Sequence, residues 1–492
     1  MSKFSDLIQN LKRKLFGTDK RQPESLLVSS PPAESSLSEP TVVVSSDPAR
    51  RQPYFVQIGF DFGTSYSKCI CRDVAIDKAW VYIPNSSVKS ELPFLIPGAL
   101  LLNDGTLEHV EHQGIDYPEN GLYHLKHALV KAALQEWDDP VLTVYRNAKG
   151  LSDVKELSRF VENCAVYYLA GVLGEIRNDV RRRMPDFGAL KKDYMAVNLA
   201  VPVADAQLPQ VNTAYKRVLY EAWRLADKLA GHPPLHLMDL ESLRNSSQNA
   251  EGGDGAGACT IYPEVSANVQ GFVRSRVSSP GIYLFSDTGA GTVDQSVFIF
   301  SRRDHGEHLT YLHGCVLPLG SSQIERRAAA SSGRADLQSL EVWREKKEQG
   351  GQESELRAAR DWITGQLSGG TESTLAHAKR KLFVRDQLND IRVIFGGGGH
   401  CGHPYMIGTM RPFSGQLFRN EIRPDVIGLP IPRDLELKDS EIRWMRRLYV
   451  AYGLSFEKSQ LTGFTYPADV RDPEPQEIWA PRRQIPDMPE ND

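Results

Sequence analysis

Two aspartates that flank a glycine-rich turn are the residues of this sequence best suited to chemistry. Asp287 and Asp294 enclose the run Thr-Gly-Ala-Gly-Thr within IYLFSDTGAGTVDQSVFIF, residues 282–300. Glycines permit positive φ and carry no Cβ, so the backbone N–H groups of such a turn can face an anion. Phosphoryl transfer requires charge neutralisation and in-line positioning, for which carboxylates beside a phosphate are suited. The stretch predicts a phosphate-binding hairpin, although any tight hairpin also favours Gly and Asp.

A second stretch, VQIGFDFGTSYSKCICR at residues 56–72, repeats this plan. It reads as an apolar strand that ends at Asp61, a polar turn, and a returning strand. The duplication predicts two related lobes that bind one polyphosphate between them. The candidate phosphate-binding residues are Gly63, Thr64 and Ser65 in the first turn and Gly289, Ala290, Gly291 and Thr292 in the second.

A third glycine-rich stretch, IRVIFGGGGHCGHPY at residues 391–405, reads as a strand that leads into four glycines and then a helix. Backbone without side chains could lie flat against a nucleobase or a ribose. Four glycines taken alone would instead favour a flexible loop. The candidate nucleoside-binding residues are Gly396, Gly397, Gly398 and Gly399.

The order of these three motifs resembles that of the actin, sugar kinase and heat-shock chaperone ATPase superfamily, and most closely the DnaK-type heat-shock-seventy chaperones. The resemblance covers roughly residues 54–459. It implies an α/β fold of two actin-like lobes, each ribonuclease-H-like, with ATP and Mg²⁺ as ligands in the cleft between them.

Two further residues enter through this resemblance. The run YPENGLYHLK, residues 117–126, matches in spacing the Asn-Pro-x-Asn-x-aromatic-x-x-Lys segment of the chaperones, whose lysine reaches the γ-phosphate. Lys126 would hold that position, within a helix predicted over Asn120–Ala132. The run YPEVSANVQG is similar to the family's Asn-Glu-Pro segment in inverted order, which implies that Glu264 orders the water shell of the metal.

The resemblance also assigns roles to the motif residues. Asp61 and Asp287 would hold Mg²⁺ through water, and Asp294 would orient the attacking water. His400 stands where the chaperones usually have an arginine that stacks on adenine. Ala290 replaces a glycine of the family, and a positive φ there would cost about 1 kcal/mol. We therefore expect the second turn to be tilted.

The pattern along the chain predicts the domain organisation. The expected units are an amphipathic helix at 1–17, a disordered linker at 18–53, a first lobe at 54–280 and 436–460, a second lobe with a reduced outer subdomain at 281–435, and a short tail at 461–492. The tail is too short for the peptide-binding domain of a DnaK-type chaperone.

The first 17 residues place Phe4, Leu7, Ile8 and Leu11 on one helical face, with lysines and an arginine mostly elsewhere. Such a helix could lie on an anionic membrane or dock in a groove of a partner protein. The alternative is a transiently helical tail without a target.

Composition narrows the classes of partner and the location. The 492 residues carry a net charge of −4 and no basic stripe interleaved with aromatics, which disfavours nucleic-acid binding. The six cysteines form no CxxC pairs, which favours a reduced, cytoplasmic setting, peripheral at the inner face of the membrane if residues 1–17 meet lipid. No run of about 18 apolar residues is present.

The leading functional hypothesis is an ATP-binding, slowly ATP-hydrolysing, DnaK-like nucleotide switch whose state is read by a partner protein. A membrane-tethered, actin-like assembly protein is the alternative, suggested by residues 1–17. A small-molecule kinase is a third hypothesis, for which no catalytic aspartate in a substrate pocket of the first lobe is evident.

Overall fold

The computed structural model describes residues 51–85, 91–110, 120–248, 255–276, 278–303, 306–334, 337–398, 404–418, 420–471 and 473. The predicted amphipathic helix 1–17, nearly all of the predicted linker, most of the predicted tail, and both Gly399 and His400 lie outside these residues. The described chain is a mixed α/β protein with several sheets and many helices, which confirms the predicted fold class at that level.

The first sheet contains the strand that ends at Asp61. Its strands are β1 (Phe55–Asp61), β2 (Tyr66–Asp73), β3 (Lys78–Val81), β4 (Ile96–Pro97), β8 (Tyr194–Val201), β10 (Cys259–Pro263) and β16 (Leu435–Glu436). Their order is β10-β8-β1-β2-β3-β16, and β4 also pairs with β2. β1, β2 and β3 are antiparallel neighbours, whereas β8 lies parallel to β1, β10 parallel to β8, and β16 parallel to β3.

The second sheet contains the strand that ends near Asp287. Its strands are β11 (Gly281–Thr288), β12 (Val293–Arg303), β13 (Gly306–Leu317), β14 (Arg392–Gly396), β15 (Val426–Ile427) and β17 (Gly463–Thr465). Their order is β15-β14-β11-β12-β13-β17. β11, β12 and β13 are antiparallel neighbours, β14 and β15 follow in parallel beyond β11, and β17 is parallel to β13.

The two sheets therefore repeat one strand order and one set of strand directions. In each, an antiparallel hairpin leads into a third antiparallel strand, and two later strands add in parallel on the far side of the first strand. Each parallel addition needs a crossover connection, and helices supply it. A smaller third sheet consists of β5 (Leu100–Asn103), β6 (Thr106–His109), β7 (Gly121–Leu122) and β9 (Leu235–His236), in the order β7-β5-β6-β9.

The helices of the described chain form two groups, one before and one after the start of β11 in the sequence. Those from the first half are α1 (Leu125–Leu134), α2 (Pro140–Lys149), α3 (Val154–Arg183), α4 (Val203–Ala206), α5 (Pro209–Leu229), α6 (Leu237–Gln248), α7 (Gly255–Ala258), α8 (Glu264–Asn268) and α9 (Gln270–Val273). Those from the second half are α10 (Ser322–Ser331), α11 (Leu337–Glu348), α12 (Ser354–Lys381), α13 (Tyr405–Met410) and α14 (Met445–Leu454). None is both long and apolar enough to cross a membrane, within the described residues.

Helix α14 packs on the face of the first sheet opposite α3 and α5. Alternation along β2 explains this, since Ile70 contacts the α14 cluster while Cys69 and Cys71 face the α3 and α5 cluster. Two glycines allow the close approach of α14. A Cβ on Gly59 of β1 would lie 2.2 Å from the Ala451 carbonyl oxygen, and one on Gly453 would lie 1.8 Å from that of Ala267 in α8.

Two predicted boundaries differ from the structure. The helix predicted over Asn120–Ala132 begins only at Leu125, because Gly121 and Leu122 pair with β5 and His124 has a left-handed backbone, φ 57°. The segment predicted as a tail from residue 461 contributes β17 to the second sheet, next to β13.

Candidate functional site

The aspartate of the first hairpin is held by a residue of the same hairpin, whereas the turn also accepts a hydrogen bond from outside, from Gly98 N to Ser65 O at 2.8 Å. Asp61 is the last residue of β1 and is buried, and its Oδ2 accepts a hydrogen bond from Lys68 Nζ on β2, at 2.8 Å. Gly63 packs so closely that a Cβ would lie 2.1 Å from the Tyr66 carbonyl oxygen. The turn therefore requires glycine at 63 for space and holds Asp61 as an ion-paired carboxylate.

The second hairpin is held from outside. Asp287 in β11 lies opposite Asp294 in β12, and its Oδ2 accepts a hydrogen bond from Asn268 Nδ2 at 2.8 Å. The turn carbonyls accept hydrogen bonds from the start of α10: Ser321 N, just before the helix, donates to Gly289 O and Ser322 N to Ala290 O, each at 2.9 Å. Residues far away in sequence thus fix the turn.

In the second turn, Gly291 matters through its small size and not through a positive φ. Neither Gly289 nor Gly291 has a positive φ, and Ala290 has none either, so the expected tilt from alanine at 290 is wrong. A Cβ on Gly291 would lie 3.0 Å from Cγ2 of Thr64 in the first turn. The two hairpins therefore approach each other tip to tip.

Lys126 and Glu264 form an ion pair beside the hairpins. Lys126 is near the start of α1 and Glu264 is the first residue of α8, and Nζ lies 2.7 Å from Oε2. Burial by itself lowers the pKa of Lys126, but Glu264 and, beyond it, Tyr215, Asp61 and Asp294 raise it above its ordinary value. The lysine is only 7% exposed and remains a cation.

Asp294 has a different electrostatic setting from that of Asp61. Burial and the nearby Glu264 raise the pKa of Asp294 well above its ordinary value, although Lys126 acts in the opposite direction. Its Oδ2 accepts a hydrogen bond from Thr292 Oγ1 at 3.3 Å. Asp294 therefore binds a proton more tightly than an ordinary aspartate does.

The glycine-rich strand end contacts the second hairpin. Gly397 has φ 76°, and a Cβ there would lie 2.1 Å from Asp287 Oδ1. A Cβ on Gly396 would lie 2.5 Å from Cζ of Phe285 and 2.9 Å from Nδ2 of Asn268. The first two glycines of the run thus allow β14 to pack against the aspartate centre.

A cavity of about 830 Å³ connects these elements. Most of the predicted site residues line it. These are Asp61, Gly63, Thr64, Ser65, Lys126, Glu264, Asp287, Gly289, Ala290, Thr292, Asp294, Gly397 and Gly398. Gly291 and Gly396 are not on its wall, because one faces Thr64 and the other faces Phe285 and Asn268.

Several cavity residues are not predicted by the sequence patterns. They are Asn268 beside Asp287, Lys68 beside Asp61, and a group of basic side chains from α11, α12 and α14: Arg344, Lys347, Arg360, Arg446 and Arg447. The charged patterns of these helices look like ordinary solvated faces. Asn268 lies in the same segment as Glu264, four residues later on the same helix turn, and that spacing is a usable signal.

Four buried polar atoms of the centre have no hydrogen-bond partner among the described residues. They are Asp61 Oδ1, Asn268 Oδ1, Thr288 Oγ1 and Asp294 Oδ1. Buried oxygens without partners are costly unless a ligand or water satisfies them. Oxygen atoms are the ligands that Mg²⁺ prefers, so this donor set fits a hydrated Mg²⁺ ion with a polyphosphate.

Direct coordination by protein alone is not indicated. Among the residues described, no group of three or more His, Cys, Asp or Glu side chains is arranged to hold a metal ion. Mg²⁺ commonly retains several waters and binds through one or two carboxylates and substrate phosphates. The role of Asp61 and Asp287 in holding Mg²⁺ through water stays a prediction of the resemblance.

Comparison with known proteins adds no assignment, since no protein-family model matches this chain and no curated protein matches it.

Proposed function

We propose that this chain is a two-lobed, actin-like ATPase that binds ATP with Mg²⁺ and hydrolyses it slowly, acting as a DnaK-like nucleotide switch for a partner protein. One observation carries the proposal: two Asp-ended hairpins, from two sheets of the same strand order, meet at one cavity with the Lys126–Glu264 pair. A duplicated scaffold of this kind offers two loops to the two ends of one triphosphate.

The polar groups divide between binding and chemistry. Backbone N–H groups of the two turns and the hydroxyls of Thr64, Ser65 and Thr292 suit the phosphate oxygens. Bound Mg²⁺ would neutralise charge on those oxygens. Lys126 is a buried cation, and a cation at this place stabilises negative charge that develops during transfer of the γ-phosphoryl group.

Asp294 suits the handling of a proton. Its unpartnered Oδ1 faces the same centre, and a carboxylate with a raised pKa is, once ionised, a better proton acceptor than an ordinary one. It would orient the attacking water and accept its proton. Asn268 holds the neighbouring Asp287 in a fixed orientation.

The switch follows from the arrangement of the hairpins. One hairpin belongs to the first sheet and the other to the second, so a ligand that contacts both turns favours their approach. Hydrolysis removes a phosphate that contacts both and weakens that preference. A partner that binds one arrangement better than the other could then read the nucleotide state.

The test is single-turnover hydrolysis of labelled ATP by the wild type and Lys126→Ala, with ATP affinity measured on both. We expect slow hydrolysis by the wild type and at least about tenfold slower hydrolysis by the variant, which is about 1.4 kcal/mol of transition-state stabilisation. ATP affinity should change by less than about threefold, or about 0.7 kcal/mol.

Lys131→Ala is the matched control, since Lys131 lies on the same helix but pairs at the surface with Glu136. It should hydrolyse ATP at the wild-type rate. Lys126→Met retains the packing of the side chain without its charge and should behave as Lys126→Ala does. Absence of ATP binding to the wild type, or equal rates in the wild type and Lys126→Ala, would contradict the proposal.

A further inference from the structure

His124, the residue just before α1, has an unfavourable backbone conformation. His124 has φ 57° and ψ 38°, the left-handed region, which costs a residue with a Cβ about 1–2 kcal/mol. His124 O accepts the first hydrogen bond of α1, from Ala128 N at 2.9 Å. The conformation therefore sets where α1 begins and, two residues on, where Lys126 points.

The imidazole of His124 contacts helix α10, which follows β13 of the second sheet. Its Nε2 lies 2.8 Å from Nη2 of Arg326 in α10. A guanidinium only donates hydrogen bonds, so Nε2 must accept and the ring must be neutral, with its proton on Nδ1. The contact exists only while the imidazole is uncharged.

Helix α10 is itself attached to the second turn. Ser322, its first residue, donates from Oγ to the Ala290 carbonyl oxygen at 2.7 Å, in addition to the bond from its backbone N. Two contacts thus connect the elements: His124, two residues before Lys126, contacts Arg326 of α10, and Ser322 of the same helix contacts Ala290. They join the segment before the buried lysine of the first half to the phosphate turn of the second.

The charged groups around His124 favour the neutral ring. Burial, then the Arg326 guanidinium and His127, lower the pKa of His124 to about 4. His127 in turn lies 3.5 Å from Asp139 at the start of α2. At neutral pH the imidazole is therefore available as an acceptor for Arg326.

We propose that His124 is a positioning residue, which uses its hydrogen bond with Arg326 to hold Lys126 in place relative to the second phosphate turn. The inference rests on the proposed ATPase function. His124 lies at the wall of the cavity, and its effect on hydrolysis passes through the position of Lys126. Hydrolysis should depend on the contact, whereas ATP binding should not.

Three variants separate the backbone from the ring. His124→Gly retains access to the left-handed conformation and removes the imidazole, whereas His124→Ala removes the imidazole and keeps the steric cost. Arg326→Ala removes only the donor. Arg327→Ala is the matched control, because the neighbouring guanidinium stacks instead on Trp362, 3.2 Å from the ring centroid.

In single-turnover hydrolysis we expect His124→Gly and Arg326→Ala each to be about fivefold slower than the wild type, or about 1 kcal/mol. The double variant should be no slower than either single variant, since both remove the same contact. ATP affinity should stay within about twofold. Arg327→Ala should match the wild type.

A second measurement needs no nucleotide. NMR titration of the His124 ring in the ligand-free protein should give a midpoint near 4 in the wild type. Arg326→Ala removes a nearby cation and should raise that midpoint by roughly one pH unit, while Arg327→Ala should leave it unchanged.

The titration and the hydrolysis rate together distinguish three ways in which the inference could fail. If the titration midpoint and the hydrolysis rate are both unchanged in Arg326→Ala, the contact is absent in solution and the inference is wrong. If the midpoint moves but hydrolysis remains at the wild-type rate, the contact is structural only and the positioning role is wrong. If the midpoint moves but even the wild type hydrolyses no ATP, the proposed function fails and the positioning role falls with it.

Discussion

The two aspartate hairpins have the same strand arrangement but are stabilised by different partners. In the first, Lys68 of the same hairpin donates to Asp61. In the second, Asp287 is held by Asn268 of α8 and lies against Gly397, just after β14, while the turn is bonded to Ser321 and to Ser322 of α10. Both turns accept hydrogen bonds from elsewhere in the chain, so the difference lies in the aspartates: Asp61 is held within its hairpin and Asp287 from outside it.

This difference predicts which substitutions will disturb each half of the site. A substitution outside the first hairpin should leave Asp61 in place, because its partner lies seven residues away. Substitutions in three separate elements should disturb Asp287 and its turn. Asymmetry also extends to charge, since Asp61 is ion-paired and Asp294 lies in a setting that favours its protonated form.

The substitution with the largest expected effect on stability lies outside the second hairpin and disturbs its packing. Gly397→Ala combines a residue with a Cβ at φ 76° with a Cβ 2.1 Å from Asp287 Oδ1 and 2.4 Å from the Thr288 carbonyl oxygen. We expect the free energy of unfolding to fall by about 2–4 kcal/mol, from backbone strain and overpacking together. Urea unfolding of the ligand-free protein, followed by circular dichroism, measures this.

Gly398→Ala is the control for that prediction. Its Cβ would lie 3.0 Å from atoms of the Arg447 side chain, which can move, and its φ is not positive. The cost should stay below about 1 kcal/mol. Equal losses in the two variants would show that Gly397 does not set the position of Asp287.

The next comparison replaces one carboxylate in each hairpin by its amide. Asp61→Asn removes the charge that pairs with Lys68, and we expect a loss of about 1 kcal/mol of unfolding free energy in the ligand-free protein. Asp294→Asn resembles the protonated form of a carboxyl with a raised pKa, so we expect a smaller loss than for Asp61→Asn.

The raised pKa of Asp294 determines whether its contribution to stability rises or falls with pH. Its folded-state pKa is raised, so the folded protein binds the proton more tightly than the unfolded chain, and wild-type stability falls as pH rises above the ordinary pKa of about 4. Asp294→Asn should therefore gain stability relative to the wild type as pH rises above about 4. A difference that is flat with pH would contradict the protonated assignment.

The smallest effect concerns Ala290. Its φ is negative and its contacts to Ser322 are made by the carbonyl oxygen, so Ala290→Gly should preserve the turn. We expect a loss of about 0.4–1 kcal/mol, through the greater freedom of the unfolded chain, and hydrolysis within about twofold of the wild type. Faster hydrolysis by more than that would revive the idea that alanine tilts the turn.

Local patterns in the sequence predicted the α/β class and both aspartate hairpins that line the cavity. Asp61 and Asp287 were identifiable because the apolar strand, the aspartate and the polar turn are adjacent in the chain. Lys126 and Glu264 were identifiable only through the resemblance to the chaperone ATPases. The positions of Lys126 and Glu264 in the chain do not show that the two side chains form an ion pair.

Tertiary structure alone decided the rest, and the physical reason is distance along the chain. Lys126 and Glu264 are 138 residues apart, and His124 and Arg326 are 202 apart, so no local periodicity relates them. The same holds for Gly397 and Asp287, since a Cβ at 397 would lie 2.1 Å from Asp287 Oδ1. Sequence determined which residues end each strand, and packing of two similar sheets determined which of those ends meet.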